Sequence, residues 1–277
     1  MNRKIAIGVL CYGDKESNPA RFEVLTKCIK ALEKIKRDDV YLFCFDNNSC
    51  SETQKFLNSQ SHFDHIFRMK NNFYDFGAMI ALNLIAEKIN SKYVLFLNDD
   101  CYLYKENSIL DGMEFLDHHY ECGAIKLIKF EVNSSAAYNK AKGSKSPNAQ
   151  RMYNTISSEA LKARGPFSIN DSDFYKSNWH WHSMPVLCRR EVYNEILPKK
   201  DMEPLQSVEG YMMKKYNNLG MEIGFLDGGA FDHMIHPNKS VRVELMKKGK
   251  LQSPNAVIIK YNKVCSSLRK SSSFRNL

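Results

Sequence analysis

Two adjacent carboxylates, Asp99 and Asp100, follow the apolar run Tyr93-Val94-Leu95-Phe96-Leu97 through one polar step at Asn98. A short continuous run of aromatic and branched residues reads as a strand buried on both faces. Acids at its carboxyl end would sit in the crevice where open α/β sheets bind ligands. Unpaired, they are costly to keep charged, so a divalent cation or a phosphate-bound metal is the natural partner. An Asx-rich turn is the plainer alternative. A second apolar run, Val40 to Phe45, ends in Asp46-Asn47-Asn48-Ser49, and a first, Lys4 to Leu10, ends in Cys11-Tyr12-Gly13-Asp14.

These ends must be held by the segments between them. Leu25, Cys28, Ile29, Leu32 and Ile35 recur at helical spacing after Pro19 and Ala20, with Lys and Glu opposite. Ser51 with Gln54 resembles a capping box opening a short helix. A weaker strand is expected over His65 to Met69, a loop over Asn71 to Phe76, and a helix from Gly77 to Ile89. Strand and helix alternating over the first hundred residues predict a mainly parallel α/β sheet covered on both faces. Neither a G-x-G-x-x-G nor a Walker A loop follows the first strand.

Beyond Cys101 the alternation loosens. A helix is expected over Ser108 to His118 and a strand over Cys122 to Val132. Residues 133–178 read as a long, polar, basic flap, with Lys140, Lys142, Lys145, Arg151, Lys162 and Arg164. Pro185 to Cys188 reads as a strand, Arg189 to Ile196 and Gln206 to Asn218 as helices, and Met221 to Leu226 as a last strand. The expected division is a body of 1–240, whose first 130 residues bind the ligand, and a basic extension of 241–277.

A chain of 277 residues with 43% apolar residues can bury one sizeable core. It has no apolar run near the roughly 18–20 residues of a membrane span. Met1 to Cys11 imitates a signal peptide without a small-residue cleavage site. The eight cysteines show no CxxC pair and no metal-finger spacing, which suits a reducing cytoplasm. Of the formal +9 charge, eight cations fall between residues 245 and 277, where there is no acid. That segment suits an anionic surface, membrane or nucleic acid, or is a solvated tail.

A first strand ending in a Tyr-bearing turn, a second ending Phe-Asp-Asn-Asn-Ser, an Asn-rich loop leading to Gly77 and Asn83, and Leu-Asn-Asp-Asp together resemble the GT-A glycosyltransferases. The resemblance is to the family-2 type, which uses nucleotide-diphosphate sugars, and covers residues 3–130 well and 178–240 more loosely. It implies that Asp46 contacts the nucleobase and that Tyr12, Asp14, Asn48, Asn72 and Gly77 belong to the donor site. Asn98-Asp99-Asp100 would be the D-x-D motif with Asn in place of its first acid, Asp100 on a divalent metal (Mn²⁺ or Mg²⁺) and Asp99 on ribose or metal. A late His matches His236, or failing that His233. The family's Glu-Asp step reads Glu209-Gly210 here, leaving Glu209 as the candidate base, with Asp171 and Asp173 as lesser substitutes. Glu209 could equally be a first-turn acid favoured by the helix dipole.

Trp179 and Trp181 would point the same way on an extended segment, able to stack on a sugar or base or to join the core. His182, with His180, would then face the other side as a polar contact. The resemblance implies a metal-dependent, inverting transfer of sugar to a hydroxyl of a glycan or lipid-linked glycan. The basic loop, the Trp pair and the tail also admit DNA with hydroxymethylated bases as acceptor. Two other classes stay open: a nucleotidyltransferase, although Cys11–Asn18 lacks its Gly-rich basic loop, and a catalytically silent sugar-nucleotide-binding module.

Overall fold

Apolar residues at nearly every position, rather than at alternate ones, make β1 (Ile5–Cys11), β2 (Val40–Asp46) and β4 (Tyr93–Asn98) usable only in a sheet covered on both faces. The computed structural model describes residues 4–13, 15, 18–35, 38–128, 163–178, 185–202, 206–234 and 259–277. Among these, β1, β2, β4 and the short β3 (His65–Arg68) run parallel in the order β3-β2-β1-β4. The crossovers are α1 (Pro19–Ala31), α2 (Ser51–Asn58) and α3 (Tyr74–Lys88). Asn18 caps α1 by accepting the Arg21 N–H, and Pro19 fills the position where a missing N–H costs nothing.

The α2 start differs from the capping-box expectation. Cys50 is the N-cap and makes no side-chain cap bond, while Gln54 turns back to donate to the Ser49 carbonyl at 2.8 Å. The helix α3 begins three residues before Gly77. Phe73 and Phe76 supply apolar anchors there, and the Asn72 side chain accepts the Tyr74 N–H at 2.8 Å.

The second half mixes directions. A short sheet of β5 (Cys101–Leu103) and β11 (Phe231–His233) follows the β4 end. After α4 (Ser108–His118) comes β6 (Cys122–Lys126). Between β4 and β6 lies the antiparallel β9 (Val186–Arg189), so β6 is again parallel to β4. The strand β10 (Glu222–Leu226) lies parallel to β6, and β8 (Ser172–Ser177) and β7 (Arg164–Ile169) finish the sheet antiparallel. That hairpin occupies the last part of the segment expected to be a loop. The carboxyl ends of β1, β2, β4, β6 and β10 therefore open onto one edge.

One face carries α3, α5 (Arg190–Ile196), α6 (Gln206–Asn218) and α7 (Tyr261–Lys270), and the other carries α1, α2 and α4. The described end of the basic extension is part of this core. Ile259 pairs with Met202, and Val264, Cys265 and Leu268 of α7 are buried against the α3 face. Each such side chain contributes about 1.5–3 kcal/mol by burial. A last turn, α8 (Ser272–Arg275), lies beside Lys88, which donates to the Phe274 and Arg275 carbonyls. All eight cysteines are free, seven of them buried. Among the described residues, no helix is long and apolar enough to cross a membrane.

Candidate nucleotide-sugar site

Three strand ends converge through a mesh of main-chain and side-chain bonds. The Asn47 N–H donates to the Cys11 carbonyl at 2.9 Å, and the Cys50 N–H to the Gly13 carbonyl at 3.0 Å. The Gly13 N–H donates to Ser49 Oγ at 3.1 Å. These bonds lock the turn after β1 to the turn after β2. Asn47, fully used and 2% exposed, then ties in the third loop: its Nδ2 donates to Asn72 Oδ1 at 2.6 Å and its Oδ1 accepts the Phe73 N–H at 2.6 Å. Asn48 takes a left-handed φ of 67°, which Asn tolerates, and so its side chain is exposed at the rim.

Asp46 is completely buried. Its Oδ1 accepts the Ser49 N–H at 3.0 Å, and its Oδ2 lies 3.5 Å from Arg68 Nε with no hydrogen bond of its own. A buried carboxylate oxygen that accepts no hydrogen bond is rare, and here the Arg68 guanidinium is the charge that answers it.

Asp99 is 3% exposed and its two oxygens are both engaged. Oδ2 accepts the Tyr12 N–H at 2.9 Å and Oδ1 accepts from Arg21 Nη2 at 2.8 Å, while Arg21 Nε donates to the Tyr12 carbonyl at 3.0 Å. Burial pushes the Asp99 carboxyl up, Arg21 opposes it, and the Asp100 charge adds to it. Asp99 thus clamps the β1 turn through Arg21. The Tyr12 ring itself is 39% exposed above that clamp.

Asp100 is half-buried on the turn into β5, and its carbonyl accepts the Met234 N–H at 2.8 Å. Asn98 Oδ1, two residues earlier, is buried with no hydrogen-bond partner. Oxygen donors suit a hard divalent cation better than a soft one, but among the described residues no three His, Cys, Asp or Glu ligand atoms converge at this edge. Next to it, a cleft of about 660 Å³ lies between α1 and the small sheet, lined by Lys27, Lys30, Lys34, Tyr102, Asp232 and Met234. The Cys28 thiol behind it is pushed up to about 12, by burial first and then by Asp100, Asp99 and Asp232.

Gly77 is a packing residue in this structure: a Cβ there would lie 2.3 Å from Phe73 Cβ. Asn72 spends its Oδ1 on Asn47 and Tyr74. Glu209 sits in the first turn of α6, whose start faces the crevice edge because its other end leads into the start of β10. Asp173 is exposed on the β8 edge, accepting from Ser168 Oγ at 2.7 Å, well to the side of β4. Asp14, Trp179, Trp181, His182 and His236 lie outside the described residues, as does the side chain of His233.

The sequence reading gave no role to Arg21, Arg68 or Asn47. Arg21 carries no signal, since a base one turn into an amphipathic helix looks like any solvated residue. Among the described residues, one trio of metal-ligand type converges, Glu121, Cys122 and Glu222, at the opposite sheet edge. Its carboxylates are paired with Lys176 and Arg164.

Residues 18–197 match Glycosyl transferase family 2. No curated protein matches by sequence. The fold resembles the S. aureus TarS 1-349 crystal structure, with a TM-score of 0.52 and 15% identity over 99% of this chain and 71% of that one. Its complex with UDP-GlcNAc gives a TM-score of 0.51 and 16% identity over 97% and 67%. Against the longer TarS crystal structure, this chain spans 43% of the length. The mannosyltransferase PcManGT from Pyrobaculum calidifontis, in complex with GDP-Man and Mn²⁺, gives a TM-score of 0.54 and 9% identity over 97% and 75%. With most of the sheet inside the matched segment and the acids at its strand ends, the chain is a family-2 glycosyltransferase of the GT-A fold.

Proposed function

We propose that the protein transfers a sugar, with inversion, from a nucleotide-diphosphate donor to an acceptor hydroxyl, using a divalent metal. The observation that supports this reading is the convergence at one sheet edge of Asp99, Asp100 and Asp46, whose buried Oδ2 accepts no hydrogen bond and faces Arg68. Asp46 Oδ2 accepts a ring N–H of the base, and the Tyr12 ring packs over it. Asp99 fixes the Tyr12 main chain through Arg21 so that this pocket is formed before the donor arrives, which lowers the ordering cost of binding.

Asp100 would hold the metal, with Asn98 Oδ1 beside it and His236 as a further ligand. The ion, when bound, neutralises charge on the departing nucleoside diphosphate. Glu209, projecting from the start of α6, takes the proton of the attacking hydroxyl, for which it must come within about 3 Å of that oxygen. Proteins of similar fold are known in complex with UDP-GlcNAc or with GDP-Man and Mn²⁺, which supports a donor of this class.

The acceptor is a glycan or lipid-linked glycan hydroxyl. A phosphate-bearing acceptor, DNA included, is favoured by one observation: Lys27, Lys30 and Lys34 line the cleft that opens beside Asp100. The exposed Lys260 at the N-cap of α7 and Lys263, Arg269 and Lys270 within it add cationic surface.

The test is turnover of UDP-glucose, UDP-GlcNAc and GDP-mannose with Mn²⁺, Mg²⁺ or EDTA. Turnover that stops in EDTA and in Asp100→Ala is the expected result. Full activity of Asp100→Ala in EDTA would overturn the metal assignment. A low-salt gel shift with hydroxymethylated duplex decides the DNA reading, which fails if no complex forms.

A further inference from the structure

A lysine is buried in the apolar face of the sheet where the ladder would otherwise place a hydrophobic residue. Following the pairing across the strands, Phe96 of β4 faces Val186 of β9, Val186 faces Lys126 of β6, and Lys126 faces Phe225 of β10. Phe96, Val186 and Phe225 all belong to the apolar cluster under α3, α5 and α6, and Lys126 points into that layer at 8% exposure. Its Nζ lies 5.8 Å from the centre of the Phe225 ring. An ammonium in such a row is costly unless a counter-charge answers it.

The position of that row matters. Lys126 ends β6, whose carboxyl end opens onto the ligand edge. It is level with Phe96, two residues before Asn98, and two strand spacings to the side, about 10 Å. The start of α6 lies over the same layer, with Val208 and Met212 buried in the cluster and Glu209 half-exposed between them. Burial drives the Lys126 ammonium down to about 7, and the Glu209 carboxylate is the charge that pulls it back up. The flanking positions Val186 and Phe225 bring no charge.

The next residue of the helix sharpens the point. Among the described residues, no atom lies within 4 Å of where a Cβ on Gly210 would stand, so the place for a second acid on this turn is open. Glu209 is left to act without the carboxylate neighbour that the sequence pattern would put there.

We propose that Lys126 is a positioning residue, which holds the Glu209 carboxylate ionised on the acceptor side of the crevice from beneath. This rests on the assignment of Glu209 as base. A cation beneath the carboxylate favours its charged form, which is the form able to take a proton. Lys126 touches neither donor nor acceptor in this arrangement.

Two measurements test it. The first is the pH profile of turnover, on whichever donor of the panel above the enzyme consumes. Removing the cation in Lys126→Met raises the Glu209 titration, so the acid limb of kcat moves up by about one pH unit. Lys126→Arg keeps the charge and leaves the limb in place, and Glu209→Gln removes it. An unmoved limb in folded Lys126→Met overturns the proposal.

The second needs no turnover. In ¹⁵N-lysine-labelled protein, the Nζ signal lost in Lys126→Arg titrates near 7 and moves lower in Glu209→Gln. A signal titrating near 10.5, or indifferent to Glu209→Gln, also overturns it. A chain that consumes no donor but whose lysine responds to Glu209→Gln refutes the reading of the reaction and leaves the pair standing.

Discussion

Replacing Gly77 by Ala sets two effects against each other, and the geometry says which wins. Ala in a helix interior is favoured over Gly by about 0.5–1 kcal/mol. The added Cβ, however, would stand 2.3 Å from Phe73 Cβ and 3.4 Å from both Phe73 Cγ and Phe45 Cζ. Phe73 Cβ is not the free end of a side chain. Its residue is held by its N–H on Asn47 Oδ1 at 2.6 Å, and its carbonyl accepts the Gly77 N–H at 3.0 Å. Overpacking of a site that cannot yield costs about 1–3 kcal/mol, and a 2.3 Å approach puts it at about 2–3 kcal/mol, so the net loss is about 1–2.5 kcal/mol. For a domain of this size that lowers Tm by about 2–10 °C. The strain is passed through Phe73 to Asn47, next to Asp46, so affinity for UDP or GDP falls a few-fold as well. Thermal and urea unfolding, with calorimetric titration of each nucleotide, measure both. A variant that melts higher than wild type by the helix-propensity amount would refute the packing argument.

Two further outcomes follow from single residues. In Asp46→Asn, the amide oxygen keeps the Ser49 bond while the NH₂ replaces Oδ2, facing Arg68 and any ligand N–H with a donor. Nucleotide affinity should drop about 10–100-fold by titration calorimetry, the effect of one buried donor–acceptor mismatch, and unchanged affinity would remove Asp46 from the base pocket. Lys126→Met should stabilise the fold at low pH. A lysine whose titration falls from 10.5 to about 7 on folding carries its full burial penalty below 7 and loses it as pH rises to 10.5. The ceiling on that penalty is about 5 kcal/mol. Urea unfolding should show a gain for the variant at about pH 6 that shrinks by about pH 10; a gain equal at both would contradict it.

The first half of the fold was legible because its strands are buried on both faces. Val40–Asp46 is buried throughout, and such runs cannot be mistaken for amphipathic surface. The helix Ser108–His118 was legible to the residue, its apolar positions set by one stripe against the sheet. Strand direction was not. Nothing in Val186–Arg189 says that it runs against β4, since period and composition are the same either way. The hairpin Arg164–Ser177 was hidden by its exposed edge strand, whose Arg164, Gly165 and Pro166 look like loop and whose hold on the body rests on a few residues such as Phe174.

The site divides in the same way. The acids at strand ends could be placed from sequence, since an apolar run stopping at Asp fixes where the strand ends, although a plain Asx turn reads the same way. The partners that fix them could not. Arg21 reaches Asp99 across 78 residues of sequence, and Asn47 ties together loops that are distant in the chain. Gly77, read from resemblance as a donor residue, is also where Phe73 leaves no room for a Cβ, which no sequence pattern shows.

The helix Tyr261–Lys270 lies on α3, and α3 frames the nucleotide crevice from its first turn. The consequence concerns the order of synthesis. The layer formed by Phe76, Ile80, Val94 and their neighbours belongs to the first hundred residues, yet it is completed by Tyr193, Val208 and Met212 and last by Val264, Cys265 and Leu268. A nascent chain would display that greasy surface for most of its time on the ribosome, sealing it when translation has passed Leu268. Until then part of this face stays uncovered, and a product cut short before α7 would be more open to aggregation and proteolysis.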